Sequence, residues 1–310
     1  MQQITDTIFM VRPVRFRMNE QTAVNNYFQE DIDLLNESVN KKAQQEFDGM
    51  VKTLREAGIN VITIDDTQEP DTPDSIFPNN WISTHEDGTV ALYPMFAENR
   101  RMERREEVLE KLENNGFHIG NIMDYTTAED EGIYLEGTGS IILDRVNRKA
   151  YCALSPRADE DLFIEFCEDF EYFPVIFTAN QTVDGARKAI YHTNVMMCVG
   201  DNFAVICLDS IDDKKERKNV ISHLKNDGKE IINITEAQVA DFAGNMLQVR
   251  SAKGKKYLVM SQSAHDSLTP AQKTAINKYA KILSSNLNTI ETCGGGSARC
   301  MMAEVFLQKK

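Results

Sequence analysis

Short stretches in which every other residue is apolar alternate with helical patterns along this chain, and the order of the two recurs. NNWISTHEDGTVALYPM, GTGSIILDRVNRKAYCALS, HTNVMMCVGDNFAVICLDS and AGNMLQVRSAKGKKYLVMS each hold two alternating segments joined by a turn rich in Gly, Asp, Asn or Lys, the pattern of a strand pair. A helical pattern follows each pair, and a short apolar strand follows the helix. LREAGINVITI, LENNGFHIGNI and LKNDGKEIINI close the helix with glycine, which suits a left-handed C-terminal cap, before alternation resumes. FCEDFEYFPVIF and YAKILSSNLNTIET make the same switch without glycine, and IFMVRPVRF reads as a fifth, less regular strand pair. Units repeating at about fifty residues belong to solenoids, propellers or closed arrays. The expected fold is therefore α/β: one five-bladed α/β propeller of ββαβ repeats with pseudo-fivefold symmetry.

Three helices are defined by their patterns. Asn36 to Glu56 carries Val39, Ala43, Phe47, Met50 and Leu54 at helical spacing, and Arg101 to Asn114 is charge-laced around Val108 and Leu112. Thr269 caps a third, with Pro270 in its first turn. The runs RRMERREE and DDKKERK read as solvated helix faces without a functional role. No Pro- or Ser-rich linker interrupts the pattern, so residues 1–310 are expected to form a single domain.

Composition narrows the partners. With 42% hydrophobic and 26% charged residues the chain is of soluble globular type, and a net charge of -14 argues against nucleic acid or an anionic membrane surface. No apolar run approaches the ~20 residues of a membrane span, and MQQITDTIFMVRP lacks the layout of a signal peptide, so a cytoplasmic location is expected. The six cysteines are scattered, with Cys152, Cys198 and Cys207 inside strand-like runs, which is no disulfide framework. CxxC, HExxH and His/Cys clusters at ligand spacing do not occur, and no metal is expected.

Several strands open on a polar residue at the same place in the repeat: Asn80, Glu136, His192 or Asn194, and Asn245. Around a pseudo-fivefold axis these would converge at one end of the ring. Near the C-terminus, ETCGGGSARCMMAEVFLQKK leads through three glycines and an arginine to Cys300. Glycines strip side-chain bulk from a loop, so the thiol that follows can be presented to a small ligand. A thiol nucleophile needs a base, and the base needs an orienting group; Cys300, His192 and Glu136 supply the three chemical types. His85, His118 and His223 stand outside the equivalent position, His265 is a minor alternative base, and Cys293 is a rival nucleophile.

In order and spacing these motifs resemble the guanidino-group modifying, or pentein, superfamily, which includes arginine deiminases, dimethylarginine dimethylaminohydrolases, succinylarginine dihydrolase and amidinotransferases. The resemblance covers nearly the whole chain. That family carries Glu, His and Cys in an LEGGD-type motif, a later HxD motif and a terminal GGGxRC motif; YLEGTGS, HTN and GGGSARC correspond here to Glu136, His192 and Cys300. MVRPVRFRMNEQTAVNNYFQ and DSIFPNNW further resemble the citrulline utilisation hydrolase branch, which is amidinotransferase-like. DSIFPNN keeps Asp74 of a substrate-binding DSVFxxD segment but has Asn80 in place of its second aspartate, and Asn194 replaces the aspartate of HxD. ALSPR resembles the segment whose arginine takes the substrate α-carboxylate, which implies that role for Arg157; a second such arginine aligns with Pro94.

The resemblance implies a cysteine-dependent hydrolase of a non-peptide C–N bond in an arginine-related small molecule, with no cofactor and with homo-oligomerisation left open. A guanidinium offers only donors, whereas a ureido group is neutral and adds an oxygen acceptor, so amides in place of aspartates favour the ureido group. Hydrolysis of citrulline to ornithine, ammonia and carbon dioxide is the expected reaction. Asp74, Asn80 and Asn194 would hold the terminal group and Arg157 the carboxylate. Arginine deiminase, dimethylarginine dimethylaminohydrolase or amidinotransferase chemistry on a guanidinium is the alternative. A non-catalytic pentein that binds a macromolecule is a third reading, and the joint presence of Glu136, His192 and Cys300 speaks against it.

Overall fold

A helix that spans a sheet returns the chain in its original direction, so the strand after each helix pairs in parallel with the strand before it. The computed structural model, which describes residues 2–31 and 35–310, contains five three-stranded sheets built on this rule. They are Ala303–Glu304, Thr7–Arg12 and Asn60–Asp65; Ile82–Thr84, Thr89–Leu92 and Asn121–Asp124; Ile141–Asp144, Lys149–Leu154 and Phe173–Thr178; Met197–Val199, Phe203–Ile206 and Glu230–Asn233; Leu247–Arg250, Lys256–Ser261 and Lys281–Ser285. In each, the first two strands run antiparallel and the third parallel to the second. The result is a mixed α/β fold of small separate sheets, none of which closes on itself among the described residues.

The connecting helices are Asn36–Glu56, Glu106–Asn114, Glu160–Asp169, Lys214–Asn226 and Pro270–Asn277. Asn36–Glu56 turns Val39, Ala43, Phe47, Met50, Val51 and Leu54 into a core shared with Ile8, Met10 and Val61 of the neighbouring strands. Gly58, Gly116 and Gly228 take φ of +82°, +85° and +73°, so the glycines after these helices do serve as left-handed caps. Among the described residues no helix is long and apolar enough to cross a membrane.

Three features depart from the sequence pattern. IFMVRPVRF is not a strand pair: Pro13 has no N–H to donate, and the strand ends at Arg12. Its antiparallel partner comes from the far end of the chain, with Ile8 opposite Glu304 and Phe9 opposite Ala303. The helix expected from Arg101 is split into Glu98–Arg101 and Glu106–Asn114. Within that break the run RRMERREE is not simply a solvated face, because Arg100 and Glu103 are turned inward to 2% and 4% exposure. A hairpin, Asn180–Val183 with Ala186–Ala189, is inserted just before His192 and has no counterpart in the repeat.

Candidate active site

The first strand of each sheet is preceded by a short turn, and the turn carries the polar residue. Pro78–Asn80 leads into Ile82–Thr84, Glu136 opens the turn Gly137–Ser140 before Ile141–Asp144, and His192 opens Thr193–Met196 before Met197–Val199. Asn245 stands just before Leu247–Arg250, and Cys300 just before Ala303–Glu304. All five side chains are buried. Because the backbone leaves a turn here before joining a ladder, side chains at this point face the turn of the next sheet instead of alternating with a strand.

Glu136 and His192 are in direct contact, Nε2 lying 2.7 Å from Oε2. Burial alone would raise the Glu136 carboxyl, but Arg157, the bond to His192, the His192 charge and Arg100 together hold it down at about 2. Burial pushes His192 down to about 4, outweighing the upward pull of Glu136. A neutral imidazole beside an ionised carboxylate must carry its proton on Nε2 and donate it to Oε2, which leaves Nδ1 as an acceptor. Nδ1 is kept uncovered by Gly139: a Cβ there would lie 2.9 Å from it and closer still to Nδ2 of Asn80.

Cys300 is held by two amides. Asn245 Nδ2 donates to Sγ at 3.2 Å and Asn194 Nδ2 at 3.4 Å. Among the described contacts none joins His192 to Cys300; Asn194, two positions along from His192, links their turns. Asn245 was visible as an equivalent strand-opening residue in the sequence, but nothing there gave it a role. The structure fixes its orientation, since its Oδ1 accepts from Arg299 N at 2.9 Å and Cys300 N at 3.4 Å, so that only the NH2 can reach the sulfur.

Asp74 and Asn80 are linked through Arg100, whose Nη1 bonds Asn80 Oδ1 and whose Nε stands 4.0 Å from Asp74 Oδ2. Asp74 Oδ2 accepts from Asn19 Nδ2 at 2.8 Å and Thr22 Oγ1 at 3.1 Å, while its Oδ1 is buried with no partner among the described residues. Burial raises the Asp74 carboxyl, with Arg100, Asn19, Arg157 and Thr22 opposing. Asn80 accepts at Oδ1 from Arg100 Nη1 at 2.9 Å, and its Nδ2 is likewise buried without a partner among the described residues. One orphan acceptor and one orphan donor therefore belong to this site. Unpaired buried polar atoms are costly and mark places where a ligand's groups complete the set.

Arg157, expected to take a substrate carboxylate, is bonded within the protein. Its Nε donates to Asn25 Oδ1 and its Nη2 to Thr22 O, both at 2.8 Å, with a second short bond from Nη2 to Asn25 Oδ1. Its Nη1 stands 3.5 Å from Glu136 Oε2. The guanidinium is thus engaged by protein acceptors and lies beside Glu136. His265 is bonded to Asp266 and part-exposed, apart from these residues.

Residues 19–29, which lie in the stretch MVRPVRFRMNEQTAVNNYFQ, cover the site, a placement the motif did not convey. Besides Asn19, Thr22 and Asn25, Asn26 Nδ2 donates to the carbonyls of Gly294 and Gly295 at 3.3 Å, and Gln29 Nε2 to Gly294 O at 3.1 Å. Phe28 packs on Tyr191 and Phe242, and Tyr191 lies against the His192 ring at 4.5 Å and bonds through its hydroxyl to Gly295 O. The segment bridges the triple glycine, Arg157 and Asp74.

Comparison with known proteins gives a consistent picture. A family model described as N,N dimethylarginine dimethylhydrolase, eukaryotic, matches residues 12–307. No curated protein matches the chain. Among solved structures, apo ArgZ, an arginine dihydrolase from the ornithine-ammonia cycle in cyanobacteria, is similar with a TM-score of 0.74 at 16% identity, over 98% of this chain and 41% of ArgZ. A variant of AgrE in binary complex with L-arginine gives 0.74 at 17% identity, over 96% of this chain and 40% of AgrE. A dimethylarginine dimethylaminohydrolase variant, as its adduct with S-methyl-L-thiocitrulline, gives 0.65 at 12% identity, over 97% of this chain and 100% of the other. The chain spans about two fifths of the length of ArgZ and AgrE, and at these identities the likeness is one of fold.

Proposed function

The chain belongs to the N,N-dimethylarginine dimethylhydrolase family of the pentein superfamily, and from that membership we propose that it is a cysteine-dependent hydrolase of a non-peptide carbon–nitrogen bond whose substrate is citrulline. The five three-stranded sheets are read as five blades about a pseudo-fivefold axis, within one catalytic unit over residues 1–310. Cys300 is the nucleophile, His192 the acid–base and Glu136 its orienting carboxylate.

The observation that carries the substrate is the orphan pair, Asp74 Oδ1 as acceptor and Asn80 Nδ2 as donor. A ureido end complements it, its NH2 donating to Asp74 and its oxygen accepting from Asn80. A guanidinium would set its own N–H groups against those of Asn80.

The reaction runs in two halves. The thiol proton of Cys300 passes to Nδ1 of His192, and the sulfur attacks the ureido carbon. His192 returns the proton to the terminal nitrogen, the C–N bond breaks and ammonia leaves, so that an S-carbamoyl adduct remains. His192 then takes a proton from water, the hydroxide attacks the adduct, and the sulfur departs and takes that proton back from His192. The carbamate released breaks down to ornithine and carbon dioxide. Citrulline and one water thus give ornithine, ammonia and carbon dioxide, and Cys300 is regenerated. Asn194 and Asn245 donate to the sulfur while it carries charge. Arg157, in this reading, serves Glu136 in place of the substrate carboxylate.

The guanidinium reading has one observation in its favour: Asp74 and Glu136 could together counter a cation, as both are buried carboxylates. Ammonia release from citrulline, arginine, methylated arginines and succinylarginine distinguishes the two. Citrulline should give the highest kcat/KM, and turnover should vanish in Cys300→Ser. Faster turnover of arginine than of citrulline would overturn the substrate; normal turnover by Cys300→Ser would overturn the chemistry.

A further inference from the structure

Arg100 lies behind the substrate-binding residues and its contacts are wholly internal. Nε and Nη2 grip the Glu103 carboxylate in a fork, at 2.9 and 3.0 Å, and Nη2 also donates to Phe77 O at 3.1 Å. Nη1 donates to Asn80 Oδ1 at 2.9 Å, and Nε stands 4.0 Å from Asp74 Oδ2. Arg100 and Glu103 are both buried. A buried ion pair of this kind adds little net stability over well-packed apolar groups, so its value must be sought elsewhere.

A guanidinium has no acceptor atom, so the face of the Asn80 carboxamide turned to Arg100 has to be its oxygen. The NH2 is then forced to the other side, where it is one of the orphan atoms of the site. We propose that Arg100, locked in place by Glu103, is a specificity-determining positioning residue, which fixes the Asn80 carboxamide so that it offers a donor to a ureido oxygen and denies an acceptor to a guanidinium.

Without that lock the carboxamide can turn over, and the site then presents two acceptors, Asp74 Oδ1 and Asn80 Oδ1. Two acceptors suit a guanidinium. The inference rests on the ureido reading above for the identity of the preferred substrate, but the lock itself makes a separate prediction: the preference moves when Arg100 changes.

The test uses the full chain with Arg100→Lys, which keeps a cation near Asp74 but loses the fork. The double variant Arg100→Met with Glu103→Leu removes the pair together, so that no unpaired carboxylate is left buried. Both are measured by kcat/KM for citrulline and arginine, and by calorimetric binding of each in a Cys300→Ala background. The citrulline-to-arginine ratio should fall by roughly tenfold to a hundredfold, the size of one buried hydrogen-bond mismatch, with Arg100→Lys the milder. A ratio that stays put in folded variants overturns the lock and leaves the ureido reading intact. A parent that prefers arginine overturns the ureido reading, and the lock is then judged by whether the ratio moves at all. A readout independent of substrate is the Asn80 side-chain amide signal in NMR, assigned through its loss in Asn80→Asp. One exchange-protected pair in the parent and a doubled or averaged pair in Glu103→Gln support the lock; an averaged pair already present in the parent overturns it, whether or not the Arg100 variants fold.

Discussion

Asn245 Nδ2 stands 3.2 Å from Sγ of Cys300, and its oxygen is bound to the backbone N–H of Arg299, one residue before the cysteine. The same side chain therefore shapes the turn that bears the thiol and donates to the thiol itself. Asn245→Ala removes both, and Asn245→Asp keeps the acceptor while replacing the donor with a carboxylate. Both should lower kcat by about tenfold to a hundredfold, since a hydrogen bond to a charged group contributes roughly 1.5–3 kcal/mol. The Asp variant keeps the bonds to Arg299 N and Cys300 N but turns a buried carboxylate toward Asn194 O, which Nδ2 bonds at 3.1 Å, and should melt below the parent. An Asn245→Asp enzyme with parental kcat would remove Asn245 from the reaction.

Gly139 faces Asn80 and His192 so closely that a Cβ would sit 2.9 Å from Nδ1 of the imidazole. Its backbone is outside the left-handed region, so alanine imposes no strain of its own there. Gly139→Ala is expected to displace the His192 ring or the Asn80 amide and reduce kcat on the order of 10²-fold, the effect of a misplacement near 1 Å. Circular dichroism should remain native. Full activity in the folded variant would show that Nδ1 is not the working nitrogen.

The buried His192 titrates at about 4, below its ordinary 6.5. Between these two values the unfolded chain binds a proton that the folded chain refuses, so stability falls as pH drops through the window, by up to on the order of 3 kcal/mol. Glu136 is lowered from 4.5 to about 2, and its contribution, present above 4.5, is lost as pH falls toward 2. His192→Gln should flatten the stability profile between pH 6.5 and 4 and, because the bond and charge of His192 help to hold Glu136 down, should also make the lower limb shallower. Denaturant midpoints across this range decide the matter: parallel profiles for parent and variant would contradict a neutral resting imidazole.

Arg157 separates two roles by kinetics. If it supports Glu136, as the 3.5 Å approach of Nη1 to Oε2 indicates, Arg157→Lys lowers kcat for citrulline and for its decarboxylated analogue alike. If it binds the substrate carboxylate, KM rises for citrulline only. The expected result is the first, with a fall of roughly tenfold or more from the loss of one charge-assisted contact. A rise confined to the KM of citrulline would restore the carboxylate role.

How far the sequence alone carried this protein is clearest at its strand openings. Alternation, helical spacing and the glycine caps are local properties, set by φ/ψ preference and by the two-residue and 3.6-residue periods, so the strand-helix-strand units and the polar residues that open the strands could be read without coordinates. Glu136 and His192 stood out because they recur at one place in a repeat, and Cys300 because it follows a triple glycine. What the repeat could not reveal is anything that depends on a partner from another unit. The first strand's neighbour lies at residues 303–304, because Pro13 closed off the local choice. Arg100 and Glu103 looked like part of a solvated charge run, and only the break after Arg101 turns them inward to hold Asn80. Arg157 sat in a recognisable motif, yet Asn25 and Thr22, from a second motif far away in the chain, occupy two of its nitrogens. Periodicity specifies which face a side chain takes on its own element; which atom it meets there is fixed by long-range packing, where each buried donor must find an acceptor.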